Sequence, residues 1–232
     1  MKRVLAAMLL CASLPLYAAP GCASWGKLGQ RLYADDFSGK LDQWVAEYAA
    51  TPGSYVDAKG GKLVIDVAGG ATVWFKHKLS GNVLIRYRRT VPIEGGRNDR
   101  LSDLNHFWMA SDPHNPQLFT RKGTFSEYDG LSLYYVGMGG NTNTTTRFRK
   151  YGEGERGLLG EMTDAAHLLK PNHSYDIQIA VYQGCTRMLV DGEVYFSYKD
   201  PAPLREGHFG FRTTQSRHEI DHFEVYQLDS DK

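Results

Sequence analysis

The chain has 232 residues, with 27 basic and 26 acidic side chains, and it is rich in glycine and tyrosine. The near-neutral balance excludes a general nucleic-acid binder, which would carry a basic excess. No run beyond the N-terminal one is apolar enough to cross a bilayer. Length and composition favour an all-β protein, which we divide into a signal peptide at residues 1–19 and a single domain at residues 20–232.

The N-terminus has the pattern of a secretory signal. Lys2 and Arg3 give it a charged start, residues 4–17 are apolar, and small residues follow. The apolar run is too short for a membrane span. Removing the signal would leave 25 basic residues against 26 acidic ones. We therefore predict a periplasmic or secreted protein without a membrane span.

Two cysteines, Cys22 and Cys185, remain after Cys11 leaves with the signal. In an oxidising compartment such a pair most simply forms one disulfide, which we predict. The alternative is lipid attachment at Cys22, because residues 19–22 faintly resemble the motif that precedes a lipidated cysteine.

Strand patterns begin at residues 31–37 and are followed by a predicted helical turn at residues 41–44. Residues 62–67 alternate apolar and polar side chains, and a Gly-Gly turn leads to a second predicted strand at residues 71–77. The next strand is predicted at residues 83–91. One of its faces carries Val83, Ile85 and Tyr87, and the other carries Arg86 and Arg88.

The second half of the chain contains two long connections. Residues 111–130 are irregular and polar, and residues 152–170 form a second insertion with a short helix predicted at residues 164–169. Strands at regular spacing with turn residues between them indicate an antiparallel sandwich. These strands are predicted at residues 101–110, 131–151 (a hairpin), 175–182, 186–195, 207–214 and 219–228.

The hairpin at residues 131–151 is the candidate site. Alternation places Leu131, Leu133 and Tyr135 on one face of its first strand. Two arginines side by side on a sheet repel each other unless an anion or acidic side chains lie between them. Tyrosine, threonine and arginine together also suit a surface that binds hydroxyls and a carboxylate. One face of the second strand carries Thr145, Arg147, Arg149 and Tyr151.

Several motifs support a resemblance to a known superfamily. The opening at residues 35–38 (DDFS) and the closing run at residues 220–226 (IDHFEVY) resemble the concanavalin A-like lectin/glucanase jelly roll. Three further segments resemble its secreted YesU-like branch, namely residues 96–112, 134–149 and 212–214. The resemblance implies a jelly-roll β-sandwich with a groove that binds glycans. The superfamily hosts hydrolases, β-eliminating lyases and lectin-like modules.

The polar residues of the hairpin suit β-elimination on a uronic-acid sugar. That reaction removes the proton beside a carboxylate, so a cation must neutralise the carboxylate while an acid–base group moves the proton. The alternative is that the two hairpin arginines pair with Asp99 or Asp103 and that the tyrosines are core. Tyr134 and Tyr135 point to opposite faces, so at most one is catalytic. The candidate catalytic residues are Tyr134, Tyr135, Arg147, Arg149, His106 and His218.

A second set of polar and aromatic residues is predicted to bind the substrate. Trp108 could stack against a sugar ring, although a lone tryptophan on a strand is more often core. The polar run at residues 98–105 could hold a structural Ca²⁺, or form a turn with an internal salt bridge. The histidines show no metal spacing, and no other cofactor is predicted. The candidate binding residues are Asn98, Arg100, Asn105, Trp108, Asn141, Asn143, Thr145 and Arg212.

Our leading hypothesis is a secreted polysaccharide lyase whose partner is an acidic polysaccharide or oligosaccharide. One alternative is a non-catalytic carbohydrate-binding module. Another is a glycoside hydrolase that uses Glu219 and Glu224, because residues 219–224 resemble the Glu-x-Asp-x-x-Glu motif of jelly-roll glucan hydrolases. Retaining hydrolysis needs two carboxyls about 5–5.5 Å apart. Without a bulge these two glutamates would point to opposite faces, so we expect the closing strand to be structural.

Overall fold

Fourteen strands join into one antiparallel sheet in the computed structural model, which describes residues 22–230. The signal peptide predicted at residues 1–19 lies outside the described residues. The strands are β1 (Lys27–Asp35), β2 (Trp44–Tyr48), β3 (Tyr55–Lys59), β4 (Lys62–Phe75), β5 (Leu79–Ser80), β6 (Val83–Thr90), β7 (Leu104–Ser111), β8 (Ser132–Gly139), β9 (Thr145–Gly152), β10 (Glu155–Met162), β11 (Ser174–Tyr182), β12 (Cys185–Val190), β13 (Glu193–Lys199) and β14 (Glu206–Asp229). Short helical turns lie at Phe125–Tyr128, Gly140–Asn143 and Ala165–His167.

The sheet folds back on itself to make two layers. We call one the groove layer, with the strand order β10-β9-β8-β7-β14-β4-β2. The other, the back layer, has the order β13-β12-β11-β6-β14-β1. The first half of β14 pairs with β7 and the second half pairs with β6 and β1, so this strand belongs to both layers. The predicted all-β jelly-roll sandwich is confirmed.

The main core lies between the layers. On β6, Val83, Ile85 and Tyr87 are buried and Arg86 and Arg88 point outward, as the alternation predicts. The groove layer meets the back layer through aromatic pairs such as Phe148 and Phe196, whose ring centroids lie 5.5 Å apart. A second, smaller core lies on the outer side of the groove layer, where residues 112–130 cover part of the sheet.

Two predicted breaks in strands are wrong. Residues 69–70 do not form a turn, because β4 runs straight through them. Position 70 requires glycine because a Cβ there would lie 2.1 Å from the carbonyl oxygen of Gly123. Residues 207–228 likewise form the single strand β14. It bends at two bulges marked by positive φ, 46° at Gln215 and 53° at His222.

Other local predictions need correction. The insertion at residues 152–170 contains the edge strand β10, and its helical part is one 3₁₀ turn instead of a helix over residues 164–169. The turn at residues 41–44 leads directly into β2. The sequence patterns predicted neither β2 nor β3. The irregular character of residues 111–130 is confirmed, apart from the 3₁₀ turn at Phe125–Tyr128.

The predicted disulfide joins Cys22 to Cys185, with Cα atoms 5.9 Å apart. It fastens the start of the described chain to β12 and leaves Cys22 without a free thiol for a lipid. Among residues 22–230 no helix is long and apolar enough to span a membrane.

Candidate functional site

A row of side chains crosses the whole groove layer and defines the site. Its members are directly paired from strand to strand, so their side chains lie side by side on the outer face of the layer. One half of this row is covered and the other half is open. We call it the polar row, and from β2 to β10 it consists of Glu47, Thr72, Arg212, Asn105, Gly137, Arg147 and Glu161.

Residues 112–130, which we call the strap, cover the first half of the polar row. Glu47 is 4% exposed and anchors the strap from below. Its carboxylate accepts hydrogen bonds from the backbone N–H of Arg121 at 2.7 Å and from the Tyr128 hydroxyl at 2.9 Å. It also accepts one from the Trp74 indole at 2.7 Å. A carboxylate with three donors is satisfied in a buried place, so the strap is held firmly on the sheet.

Arg212 lies beneath the strap, where it is fully buried. Its Nη1 donates to Thr72 Oγ1 at 3.0 Å and to the carbonyl oxygen of Gly123 at 2.9 Å. Its guanidinium also lies 4.8 Å from the ring centre of Tyr128 and 5.0 Å from that of Phe125. Burial lowers the pKa of this guanidinium. The predicted substrate-binding arginine thus holds the strap in place and has no access to the solvent-filled groove.

The open half of the polar row forms a groove of about 520 Å³. Of the described residues that line it, one carries a carboxylate, Asp103, and four are arginines. The groove is therefore cationic and contains no carboxylate pair of the kind that hydrolysis of a glycosidic bond requires. Its lining residues are Arg100, Asp103, Phe125, Tyr135, Gly137, Gly140, Asn141, Thr142, Thr145, Arg147, Arg149, Tyr151, Arg156 and Thr214.

Arg149 is the arginine of this groove that is free to bind an anion. Its Nη1 donates to the carbonyl oxygen of Arg156 at 2.8 Å, and it has no acidic partner within residues 22–230. It is directly paired with Tyr135 of β8. Tyr135 lies over Gly137, where an added Cβ would come within 2.5 Å of the tyrosine hydroxyl. Because Gly137 has no side chain, the Tyr135 hydroxyl and the Arg149 guanidinium can both lie on the floor of the groove.

The other groove arginines are each tied to one carboxylate. Arg147 pairs with Glu161 and Arg156 pairs with Asp129. These pairs are partly exposed, so they orient the guanidinium groups more than they stabilise the fold. Each planar guanidinium still has donors left over for a ligand.

Neither Asp99 nor Asp103 pairs with the hairpin arginines, so that part of the alternative interpretation is wrong. Asp103 pairs with Arg100, as the predicted internal salt bridge requires. Asp99 pairs with Arg217 at 3.0 Å. Among the described residues no group of three or more His, Cys, Asp or Glu side chains is placed to hold a metal ion.

The two tyrosines on the groove floor are held in the neutral form. Burial raises the pKa of Tyr151 to about 12, and the nearby Arg156 and Arg149 guanidinium groups oppose that rise. Burial raises the pKa of Tyr135 further, and Arg212 and Arg149 oppose it. Tyr135 is 8% exposed, whereas the Tyr151 hydroxyl is fully buried without a hydrogen-bond partner. Tyr135 is therefore the tyrosine whose hydroxyl is better placed to meet a ligand.

A left-handed turn forms one rim of the groove. Asn141, Thr142 and Asn143 have φ angles of 52°, 60° and 58°, which is costly for a β-branched residue such as Thr142. Asn143 holds the turn by a double hydrogen bond with the backbone of Leu169, at 2.8 and 2.9 Å. Asn143 is thus a support, while Asn141 and Thr142 line the groove together with Thr145.

Three predicted site residues instead point into the main core. Tyr134 donates to Asp200 at 2.5 Å, Trp108 donates to Thr186 Oγ1 at 2.9 Å, and His106 contacts the sulfur of Met188 at 3.2 Å. All three are buried between the layers. They belong to the opposite face of β7 and β8 from Tyr135, so we correct their assignment from groove to core.

His218 is also a core residue. Its Nδ1 accepts from the buried Arg89 at 3.1 Å, and its Nε2 lies 2.8 Å from Thr213 Oγ1. Burial, and then the Arg89 charge, holds the pKa of His218 well below its usual range, and the same causes act on His106. Burial in turn lowers the pKa of Arg89 to about 10. Neither histidine reaches the groove, which corrects their assignment as acid–base groups.

Asn98 and Asn105 are the remaining candidate binding residues. Asn98 donates to Asp66 at 2.7 Å and to the carbonyl oxygen of Gly53 at 3.0 Å, so it fixes a loop outside the groove. Asn105 belongs to the polar row but is only 3% exposed. The structure therefore places in the groove six of the predicted residues, namely Arg100, Tyr135, Asn141, Thr145, Arg147 and Arg149.

Glu219 and Glu224 lie on the outer face of the back layer. The bulge at His222 puts both glutamates on this face, where each is neutralised by a cation. Glu219 pairs with Lys62 at 2.6 Å, and Glu224 pairs with Arg86 at 2.6 Å and with Arg31 at 2.9 Å. They line two separate depressions, and neither lines the groove.

Several groove residues have no local signal in the sequence. Arg156 lies on β10, inside an insertion for which no strand was predicted, and Phe125 lies on the strap. Thr142 and Thr214 also line the groove. The strained turn could have been suspected from the run at residues 140–144, because asparagine tolerates positive φ better than most residues.

Comparisons with solved structures identify the fold. A protein of unknown function with a galectin-like fold from Bacillus subtilis aligns with a TM-score of 0.73 at 17% identity, covering 88% of this chain and 99% of that one. An endo-β-1,3-glucanase from Pyrococcus furiosus gives 0.60 at 12% identity, covering 87% and 95%. The carbohydrate-binding module CBM66 from Bacillus subtilis gives 0.52 at 12%, covering 80% and 96%. The fold is the concanavalin A-like jelly roll.

The sequence also matches a family model. Residues 65–223 match the family described as domain of unknown function DUF6250, and the chain belongs to that family. No curated protein matches it significantly.

Proposed function

We propose that the protein is a secreted, carbohydrate-active protein that cleaves a uronate-containing polysaccharide by β-elimination in the groove. The observation that carries this is the position of Arg149, which has no acidic partner among residues 22–230 and lies directly opposite Tyr135. Fold relatives that are a glucanase and a carbohydrate-binding module support a glycan partner. The disulfide fits an oxidising compartment outside the cytoplasm. The narrower YesU-like assignment rests on the motifs at residues 96–112, 134–149 and 212–214.

The cationic groove favours a sugar that carries a carboxylate. Arg149 offers a guanidinium that has no acidic partner among the described residues, and Arg147 lies beside it on β9. A guanidinium binds a carboxylate through two parallel, charge-assisted hydrogen bonds, which gives selectivity as well as affinity. Hydroxyls of the sugar would find Asn141, Thr142 and Thr145 along the rim.

The reaction follows from this arrangement. Tyr135 acts in its ionised form, which is a small fraction at neutral pH because burial raises its pKa. This phenolate accepts the proton from C5 of the uronate, and the C5–H electron pair forms the C4=C5 double bond. The bond from C4 to the glycosidic oxygen breaks, and the oxygen keeps its electron pair. Tyr135 then donates the proton to that oxygen, so that the residue ends ionised as it began. Arg149 and Arg147 stabilise the negative charge that develops on the carboxylate.

A non-catalytic carbohydrate-binding module is the second candidate. It is favoured by one observation: burial raises the pKa of both groove tyrosines, so neither is poised to titrate near neutral pH. A surface of arginines, amides and hydroxyls can bind an acidic glycan without cutting it.

The test is a screen of the protein against polygalacturonate, alginate and hyaluronan. Cleavage by elimination creates a conjugated double bond, which is followed by its ultraviolet absorbance, and binding is followed by calorimetry. We expect turnover on at least one polymer, and Tyr135→Phe should lower it by about 100- to 10,000-fold while retaining binding. Binding without any double bond favours the module. New reducing ends without a double bond would indicate hydrolysis, and no binding at all would refute a role on acidic glycans.

A further inference from the structure

We infer that the groove receives the end of a glycan chain and does not let the chain pass through. This inference rests on the proposed function. A groove that accepts the middle of a polymer must be open at both ends. Here the polar row runs across all seven strands of the groove layer, but only the part from Gly137 to Glu161 is open.

The closed end is a wall made by the strap. Phe125 lines the groove, and its ring contacts Arg212 on the covered side and Arg156 on the open side, at 5.0 and 4.4 Å. Beyond it, Thr72 and Arg212 are fully buried. A sugar unit that entered past Phe125 would have to occupy space that the strap fills.

The strap is fastened too tightly to be pushed aside by a sugar. Gly123 approaches β4 so closely that a Cβ on it would lie 2.4 Å from the carbonyl oxygen of Gly70. Glu127 accepts hydrogen bonds from the backbone N–H of Thr124 at 2.8 Å and of Lys122 at 3.1 Å. The strap also carries its own ion pair, Arg121 with Asp112, which is largely shielded from solvent.

The open end lies at the edge of the sheet. β10 pairs only with β9 among the described strands, so nothing in residues 22–230 stands beyond it in the groove layer. Leu158 is the direct neighbour of Arg149 on β10 and is 52% exposed. An exposed leucine beside the binding arginine offers an apolar surface to the carbon face of a sugar ring. The rest of the chain would leave the groove over this edge.

Recognition of a chain end predicts exo action, which can be tested by the size of the first products. On the polymer of the screen that is turned over fastest, early samples should contain one small unsaturated product, and the viscosity should stay almost unchanged. Phe125→Ala shortens the wall, so we expect it to lengthen the released product. Leu28→Ala, at an exposed residue on β1 of the back layer, serves as the control and should leave product length unchanged.

Recognition of a chain end can also be tested by a binding measurement that does not require turnover. Tyr135→Phe is titrated with oligosaccharides of increasing length prepared from the same three polymers. Recognition of a chain end gives a fixed number of protein molecules per chain at every length. A ladder of product sizes, or a stoichiometry that grows with length, would overturn end recognition while leaving the proposed function standing. Binding with a fixed stoichiometry but without formation of a double bond would reject the lyase and keep end recognition. Absence of binding to all three polymers would overturn both proposals.

Discussion

Tyr135 and Arg149 face each other directly across β8 and β9, with the side-chain-free Gly137 two residues further along β8. The arginine has no acidic partner among the described residues, and the tyrosine hydroxyl extends over the glycine. The ionisable Tyr135 hydroxyl therefore lies beside the Arg149 guanidinium on the groove floor. No carboxylate among the described residues neutralises that guanidinium.

Arg149→Lys should lower kcat/KM on the acidic substrate by about thirty- to a thousandfold, or roughly 2–4 kcal/mol of transition-state stabilisation. Lysine keeps the charge but cannot make two parallel hydrogen bonds to a carboxylate. Arg147→Lys should cost less, because Arg147 already shares its guanidinium with Glu161. Arg86→Lys, on the back layer, is the control. Full activity in a normally folded Arg149→Lys protein would show that this arginine is only surface charge.

Gly137→Ala should reduce turnover by at least about tenfold. The new methyl group would lie 2.5 Å from the Tyr135 hydroxyl, so the ring has to move away from Arg149. Gly130→Ala is the control, because a Cβ at Gly130 meets no atom within 4 Å. Steady-state kinetics and thermal melting of both variants make the comparison. Equal kinetics for the two would mean that the position of Tyr135 is unimportant.

The rate should rise with pH. Burial raises the pKa of Tyr135 above its usual range, so at neutral pH the residue is almost entirely protonated. The ionised fraction that can accept the C5 proton therefore grows about tenfold per pH unit. We expect kcat/KM to follow that slope between pH 7 and pH 9 while the protein stays folded. A flat or falling profile would argue against a tyrosine base.

Glu219→Gln and Glu224→Gln, made separately, should leave any glycan activity within severalfold of that of the unmodified protein. Both carboxylates belong to the back-layer half of β14, each is paired with a cation, and neither lines the groove. The same assays on oligosaccharides provide the measurement. A loss of about a thousandfold in either variant would bring back the hydrolase, because loss of a catalytic carboxylate has effects of that size.

Reduction of the Cys22–Cys185 bond should lower the free energy of unfolding by about 2–4 kcal/mol, since the bond closes a long loop. The double variant Cys22→Ser/Cys185→Ser should show the same loss in denaturant melts. Thiol labelling of the denatured, unreduced protein should find none at these two positions. Labelling of both would show that they are unpaired.

Part of the groove could be predicted because simple alternation governs it. Tyr135 on β8 and the alternate residues of β9 follow the period of two, and the structure places them on one face as expected. Those β9 residues are Thr145, Arg147, Arg149 and Tyr151. Alternation does not say which face of a strand looks outward when both are apolar. The strap covers Phe107 and Leu133 on the groove face, so His106, Trp108 and Tyr134 on the other face could not be recognised as core.

Other features depend on contacts between segments that are far apart in sequence. Gly70 and Gly123 are adjacent in space but 53 positions apart in the sequence. The local sequence around each glycine predicts only a turn and gives no sign of this contact. Phe125 closes the groove from within an irregular segment that has no periodic pattern to place it. The bulge at His222, which turns Glu224 to the same face as Glu219, likewise depends on the pairing of β14 with β6.

The length of β14 has a consequence for how the chain folds. Its 24 residues pair with β1, β4, β5, β6 and β7, so it contacts segments that precede it by about a hundred residues or more. Neither layer is complete until β14 is in place, and before that several strands present unpaired edges. We therefore expect slow folding, in milliseconds to seconds or longer, with a window in which the incomplete sheet is prone to self-association.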